Sequence, residues 1–288
     1  MLLSEIPNFN YRSRKLKNVF FSFLCGLSCV LAVAVLVLLL GYVTIRGFGA
    51  INLDFFTHMP TPVGEAGGGV ANSLVGSLIL ICIASFLGMP IGVFTGLYLA
   101  EYGNNRYAQV LRFLTDVLNG LPSIVMGLFA YALIVIPMKS FSGLAGGVAL
   151  SVLMIPVIVR TTEEVVKLVP HSLREAALAL GVRRWRMILS VVLATAKPGI
   201  VTAVILSIAR IAGETAPLLF TSFGNQFWQT NIFEPVAALP LQIFTYAISP
   251  FEDWQAKAWA GALVLVGFCL VINISARLIL HSRFRKSR

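Results

Sequence analysis

Six apolar runs, each long enough to cross a hydrocarbon core, leave this chain little choice of fold. They cover roughly residues 19–45, 71–99, 117–137, 143–159, 198–222 and 258–280. A helix needs about 20 such residues to span ~30 Å of lipid. None of the runs alternates like a transmembrane strand, so the backbone must close its hydrogen bonds inside helices. Of 288 residues, 58% are hydrophobic and 12% charged, whereas a soluble domain sits near half apolar and a quarter charged. The expected fold class is all-α integral membrane, with six transmembrane helices. Arg12, Arg14, Lys15 and Lys17 precede the first run in the manner of a signal peptide. That run is too long for an h-region and no small-residue cleavage site closes it. It reads as a retained first helix.

A net charge of +10 raises the question of nucleic acid, and the distribution answers it. Eighteen of the 22 Lys and Arg lie in the two tails and in the second and fourth connections. The other connections hold only Arg46, Lys139 and Lys257, and Arg210 falls inside a span. The asymmetry is the positive-inside pattern and implies a multi-pass chain with both termini cytoplasmic. Cys25, Cys29, Cys82 and Cys269 sit within spans without metal spacing and read as small packing residues. His58, His171 and His281 are scattered, and no triad or metal cluster accompanies them. The chain is not expected to be an enzyme.

The fourth connection, 160–197, is the most informative stretch. Connections in compact proteins are usually far shorter, and this one carries Ser172-Leu-Arg-Glu-Ala-Ala-Leu-Ala-Leu-Gly181. Ser172 and Glu175 have the spacing of a capping box, Pro170 precedes them, and Gly181 suits a left-handed helix end. Ala176, Ala177 and Ala179 keep the helix slim enough to enter a partner's groove, and Arg183, Arg184 and Arg186 then open a second helix around Trp185. A short helix held at the mouth of a membrane protein is a docking element.

Other features leave two readings open. Asn72, Ser73, Gly76, Ser77 and Gly88-Met-Pro90 interrupt the second span, and Asp116-Val-Leu-Asn-Gly-Leu-Pro-Ser123 opens the third. Such residues mark close helix packing or a pathway. Pro235 to Ala247 reads as a helix lying at the membrane surface, a scaffold or a partner contact. Arg210 and Glu214 are four apart in the fifth span, hence on one helix face. They are either a pair that fixes helix packing or a group facing a pathway. Arg160, with Glu163 and Glu164 a turn later, and Asp116 are either helix-end charges or exit-side contacts.

Glu175-Ala176-Ala177-x-x-x-Gly181, followed by Val191 and Leu193, resembles the EAA motif of ABC importer permeases. The family has a proline after that leucine, where this chain has Ala194 and only later Pro198. Four further stretches are similar to the phosphate-specific branch. They are Ile155-Pro-Val-Ile-Val-Arg160-Thr-Thr-Glu-Glu164, Ala179-Leu-Gly181, Arg210-Ile-Ala-Gly-Glu-Thr-Ala-Pro-Leu218 and Asp116-Val-Leu-Asn-Gly-Leu-Pro-Ser-Ile124. The resemblance covers roughly residues 70–280.

It implies type I permease architecture. Residues 1–18 form a basic cytoplasmic tail, 19–45 a first span, 70–280 the permease domain with its coupling loop at 160–197, and 281–288 a second basic tail. The implied partners are a sister permease (PstC-type), an ATPase dimer (PstB-type) that carries ATP and magnesium, an extracytoplasmic phosphate-binding protein (PstS-type), and membrane lipid. No G-x-x-x-x-G-K-[ST] run occurs, so energy would come from that ATPase. Ser172, Glu175, Ala176, Ala177 and Gly181 are then the expected ATPase-coupling residues. Arg210, Glu214, Arg160 and Asp116 are the expected pathway or gate residues. A guanidinium suits phosphate because its planar fork donates two parallel hydrogen bonds. The alternatives are an ABC permease for another oxyanion or small solute, or an ATPase-independent secondary transporter; a phosphate-sensing role is compatible with transport.

Overall fold

The computed structural model describes residues 9–62, 65 and 67–285. The ends of the two expected tails, 1–8 and 286–288, lie outside the described residues. Among those described, every regular element is helical.

The first span is α1 (Phe9–Phe48), which begins ten residues before the apolar run because the basic stretch is itself helical. A short α2 (Leu53–Thr57) leads into α3 (Ala71–Tyr102), the second span. The third span is bent. Its first limb, α4 (Arg106–Gly120), meets α5 (Ser123–Ala130) at 107°, and α5 runs on through a π turn at Tyr131–Val135 into α6 (Ile136–Met138). Pro122 is the cause: it holds the preceding Leu121 extended, at ψ 138°, by steric conflict with the α region. The expectation of one span from 117 to 137 is corrected accordingly, and Asp116 belongs to the limb before the bend.

α7 (Gly143–Lys167) is the fourth span and continues past the expected end at 159, so Arg160 and Glu163 are helical residues. It is the hub of the fold, with 67% of its apolar stretch buried against 0% for α1. The docking helix α8 (His171–Ala179) follows. Then α9 (Arg184–Met187), a π turn at Ile188–Val192 and α10 (Leu193–Ile211) form a single fifth span of 28 residues. The helix stops at Ile211, short of the expected 222, because Gly213 and Pro217 follow; Pro217 has no N–H to offer the next turn. α11 (Ala216–Leu219), α12 (Leu239–Ala247) and the sixth span α13 (Glu252–Arg285) complete the chain. Five straight apolar helices plus the bent one make six spans.

α3 and α7 run side by side in the same direction. Gly88, Gly92 and Gly96, at four-residue spacing, make a flat strip for the α7 side chains. A Cβ on Gly92 would lie 2.7 Å from Ile158 Cβ, and one on Gly96 2.6 Å from the Val159 carbonyl oxygen. Helices approach this closely only over small residues. The polar residues of the second span are also accounted for by packing. Asn72 donates to the Asn225 carbonyl at 2.8 Å, Ser77 accepts from the Leu239 N–H at 2.7 Å, and Ser73 bonds Gln242. They hold the segment from α11 to α12 across one end of α3. The helix expected near Pro235–Ala247 is α12, and it buries Leu239, Pro240, Leu241 and Tyr246 against its own chain. Most of α1, by contrast, is exposed; it touches α13 near Gly47 and through Tyr42, whose ring lies 5.2 Å from that of Trp259.

Candidate coupling and translocation site

The C-terminal ends of α3 and α7 meet the first limb of the bent span on the side of the bundle that carries α8. Pro170, extended at ψ 139°, serves as the residue before the helix, so α8 begins at His171. Ser172 therefore lies inside the first turn, and the expected capping box with Glu175 does not form. The helix end behaves as expected. Gly181 is left-handed at φ +76°, with its N–H on the Leu178 carbonyl at 2.9 Å and that of Val182 on Ala177 at 3.3 Å.

Of the expected docking residues, Ser172, Glu175, Ala176 and Gly181 are exposed. Ala177 is not: it turns inward at 8% exposure and packs with Leu97, Val166, Met187 and Ile188. The outward face is completed by leucines, including Leu173 and Leu180, the latter 84% exposed. A water-facing helix that displays leucines beside a carboxylate has the surface of an interface.

Two ion-pair clusters whose long-range partners the spacing did not reveal hold this end together. Glu163, 2% exposed, accepts from Arg112 Nε at 2.8 Å and Lys167 Nζ at 2.6 Å. Arg112 also donates to the Leu99 and Gly103 carbonyls at 2.9 and 3.0 Å, closing the free end of α3. Arg174, whose side chain is 12% exposed, pairs with Glu101, at 6%. These partners lie 51 and 73 residues apart, and only a shared end of the bundle unites them.

The expected pathway residues separate into two places. Arg160 and Asp116 are brought together: Arg160 Nε donates to Asp116 Oδ1 at 2.9 Å, and Arg160 Nη1 lies 3.8 Å from Glu163 Oε2. The pair links α7 to the limb before the bend. Arg210 and Glu214 are not brought together as one helix face, because the helix ends between them. Gly213 turns back onto the Arg210 carbonyl at 3.3 Å, and Glu214 N–H onto Ile211 at 3.2 Å. Among the described residues no ion pair joins them. Arg210 is exposed on the last turn of α10, next to Ile211, which lies in a core with Leu80, Leu150 and Leu218. An exposed arginine in an apolar span costs about 2.5–3.5 kcal/mol if it meets lipid, so such a group faces a cavity or a partner.

A family profile, described as binding-protein-dependent transport system inner membrane component, matches residues 88–285. The phosphate transport system permease protein PstA of Yersinia pestis is 52% identical over 81% of this chain and 80% of that protein. The one of Haemophilus influenzae is 45% identical over 96% and 98%. In three dimensions the chain resembles the inward-facing MetNI methionine ABC transporter, with a TM-score of 0.59 at 19% identity over 74% of this chain and 94% of that one. At that identity the likeness speaks to the fold alone. On the profile and on near full-length relatives, the chain belongs to the binding-protein-dependent transport system inner membrane component family, in its PstA branch.

Proposed function

We propose that this chain is one of two permease subunits of an ATP-driven importer that moves inorganic phosphate into the cytoplasm. The observation that carries the mechanism is α8, an exposed docking helix fastened to the ends of α3 and α7. The phosphate cargo rests on relatives named as phosphate permeases and on an arginine in a span that has no ion pair among the described residues.

The basic end faces the cytoplasm, with both termini there. Glu175, Ala176 and Gly181, with the flanking leucines, dock on a separate ATPase that binds ATP and magnesium. A binding protein delivers phosphate from the other side. Arg210 meets phosphate in the pathway between this chain and its sister subunit, offering a planar fork to two oxygens. Glu214 lies beyond the helix end and borders the same passage. One arginine lowers the barrier to an anion without trapping it. Arg160 and Asp116, paired at the basic end, form the exit-side gate: their separation lets α4 swing from α7.

The test is uptake of labelled phosphate at micromolar concentration in cells lacking this chain and other high-affinity phosphate systems. A plasmid copy should restore uptake, and depleting ATP without collapsing the ion gradient should abolish it. Unchanged uptake with the plasmid would remove phosphate as the cargo.

A further inference from the structure

α8 is hydrogen-bonded to the spans by one side chain. Among the described residues, Arg174 is the only α8 residue whose side chain hydrogen-bonds outside its own helix. Its Nε and Nη2 converge on Glu101 Oε1 at 3.1 and 2.9 Å; Nη2 also donates to the Val166 carbonyl at 3.0 Å, and Nη1 to that of Val169. A single guanidinium therefore ties the end of α3, the end of α7 and α8. Glu101 is held from its other side. Arg184 Nη2 donates to the Glu101 carbonyl at 2.9 Å, and its guanidinium lies 4.7 Å over the Tyr102 ring.

Without this knot α8 would be held by two short non-helical connections, 168–170 from α7 and 180–183 into α9, and by its apolar contacts. The remaining contacts, Ala177 among Leu97, Val166, Met187 and Ile188, are apolar. Apolar contacts hold an element in place but do not fix its direction. A planar donor fork making four hydrogen bonds to three fixed acceptors does. Added to the two covalent connections it fixes α8 directly to α3 and to α7, so a displacement of α8 must be passed to both.

We infer that the Glu101–Arg174 ion pair is the force-bearing joint of the transport cycle. It positions α8 and converts its movement into movement of the spans, while touching neither ATPase nor phosphate. This rests on the coupling role proposed above. Glu101 and Arg174 are buried, whereas the docking face is on the exposed side. Breaking the joint should therefore leave docking intact and waste the stroke.

The experiment uses the full complex in liposomes, with ATP hydrolysis and phosphate entry measured on the same sample. Arg174→Met keeps much of the stem and Glu101→Gln keeps the shape. Each should retain co-purified ATPase and basal ATP turnover, while phosphate moved per ATP falls about tenfold, within the 5–150-fold usual for coupling between sites. Arg174→Lys, which keeps charge but loses the fork, should fall between these and wild type. A purely structural pair would lower the amount of complex and leave the ratio alone. An unchanged ratio in assembled complex overturns the inference, and so does failure of both variants to assemble, which would make the pair a folding element. A wild-type complex that hydrolyses ATP without moving phosphate would count against the cargo instead. The joint would then be read from binding-protein stimulation of ATP hydrolysis, which the variants should lose.

Discussion

Single charged side chains decide how the basic end holds together, and their contributions differ by environment. Glu163 is buried between two donors, while Lys167 is half exposed at 53%. Glu163→Gln keeps the shape and leaves Arg112, Lys167 and Arg160 facing a neutral amide. Removing one member of a buried pair costs about 3–5 kcal/mol, so detergent thermal unfolding should show a large drop in midpoint. Lys167→Met removes a water-exposed partner, worth about 1 kcal/mol or less, and should barely move it. Equal shifts would mean that Glu163 is not the centre of the cluster. Arg210 calls for a different readout. With its side chain exposed and free of Glu214, it contributes little to the fold of this subunit. Arg210→Lys should assemble at wild-type level and lose about tenfold or more of phosphate uptake, because ammonium cannot reproduce the fork. Wild-type uptake would reject that picture, and loss of the protein would favour a structural role. The charges themselves were visible in the chain, but their partners were not. The i,i+4 rule assigned Glu214 to Arg210 and failed where the helix stops. Arg112 and Glu163 are joined by tertiary contact alone, which no local spacing reports.

Elements follow local rules more closely, and their failures have local causes. Apolar length was enough to find every span. Pro122 marked a break, but its 107° consequence depends on how α4 and α5 pack against α7. The small residues of α3 were open to two readings until the strip Gly88, Gly92, Gly96 was seen beneath α7. That strip makes a graded prediction. A Cβ on Gly88 meets the Ser151 carbonyl oxygen at 3.3 Å, while on Gly96 it meets the backbone oxygen of Val159 at 2.6 Å. Gly88→Ala should be tolerated with a small loss of abundance. Gly96→Ala must push two spans apart, at a cost of about 1–3 kcal/mol typical of overpacking. Membrane abundance and thermal midpoint should fall in that order, and a reversed order would contradict the helix contact. Gly181 behaves otherwise, since among the described residues, its two chain neighbours aside, nothing lies within 4 Å of its Cβ position. Gly181→Ala meets only the left-handed penalty of about 1–2 kcal/mol and should change the helix end rather than the core. Gly181→Asp adds bulk and charge on the docking side, and ATPase co-purification should drop while protein level holds.

At the scale of the whole molecule, orientation ties these parts into a transporter, and it rests on charge rather than on contacts. The lysines and arginines gather at the end that carries α8. The opposite end, where α12 crosses α3, has Arg46, Lys139 and Lys257 against Asp54, Glu65, Glu234, Glu252 and Asp253, with neutral exposed groups such as Gln226 and Thr230. If α8 receives an ATPase, that end must be cytoplasmic, because ATP is there. The native cysteines suit a direct test: Cys25, Cys29, Cys82 and Cys269 all lie within spans, where a water-soluble maleimide does not reach. Ser172 and Thr230 are exposed at opposite ends and make no side-chain hydrogen bond. In intact cells whose outer barrier admits the reagent, an impermeant maleimide should label Thr230→Cys and leave Ser172→Cys untouched. Opening the inner membrane should then expose Ser172→Cys. Labelling of Ser172→Cys in sealed cells would turn the protein over, and α8 would face the side without nucleotide. Docking of an ATPase there would be excluded, and the coupling role of Glu175 and the joint at Arg174 would fall with it.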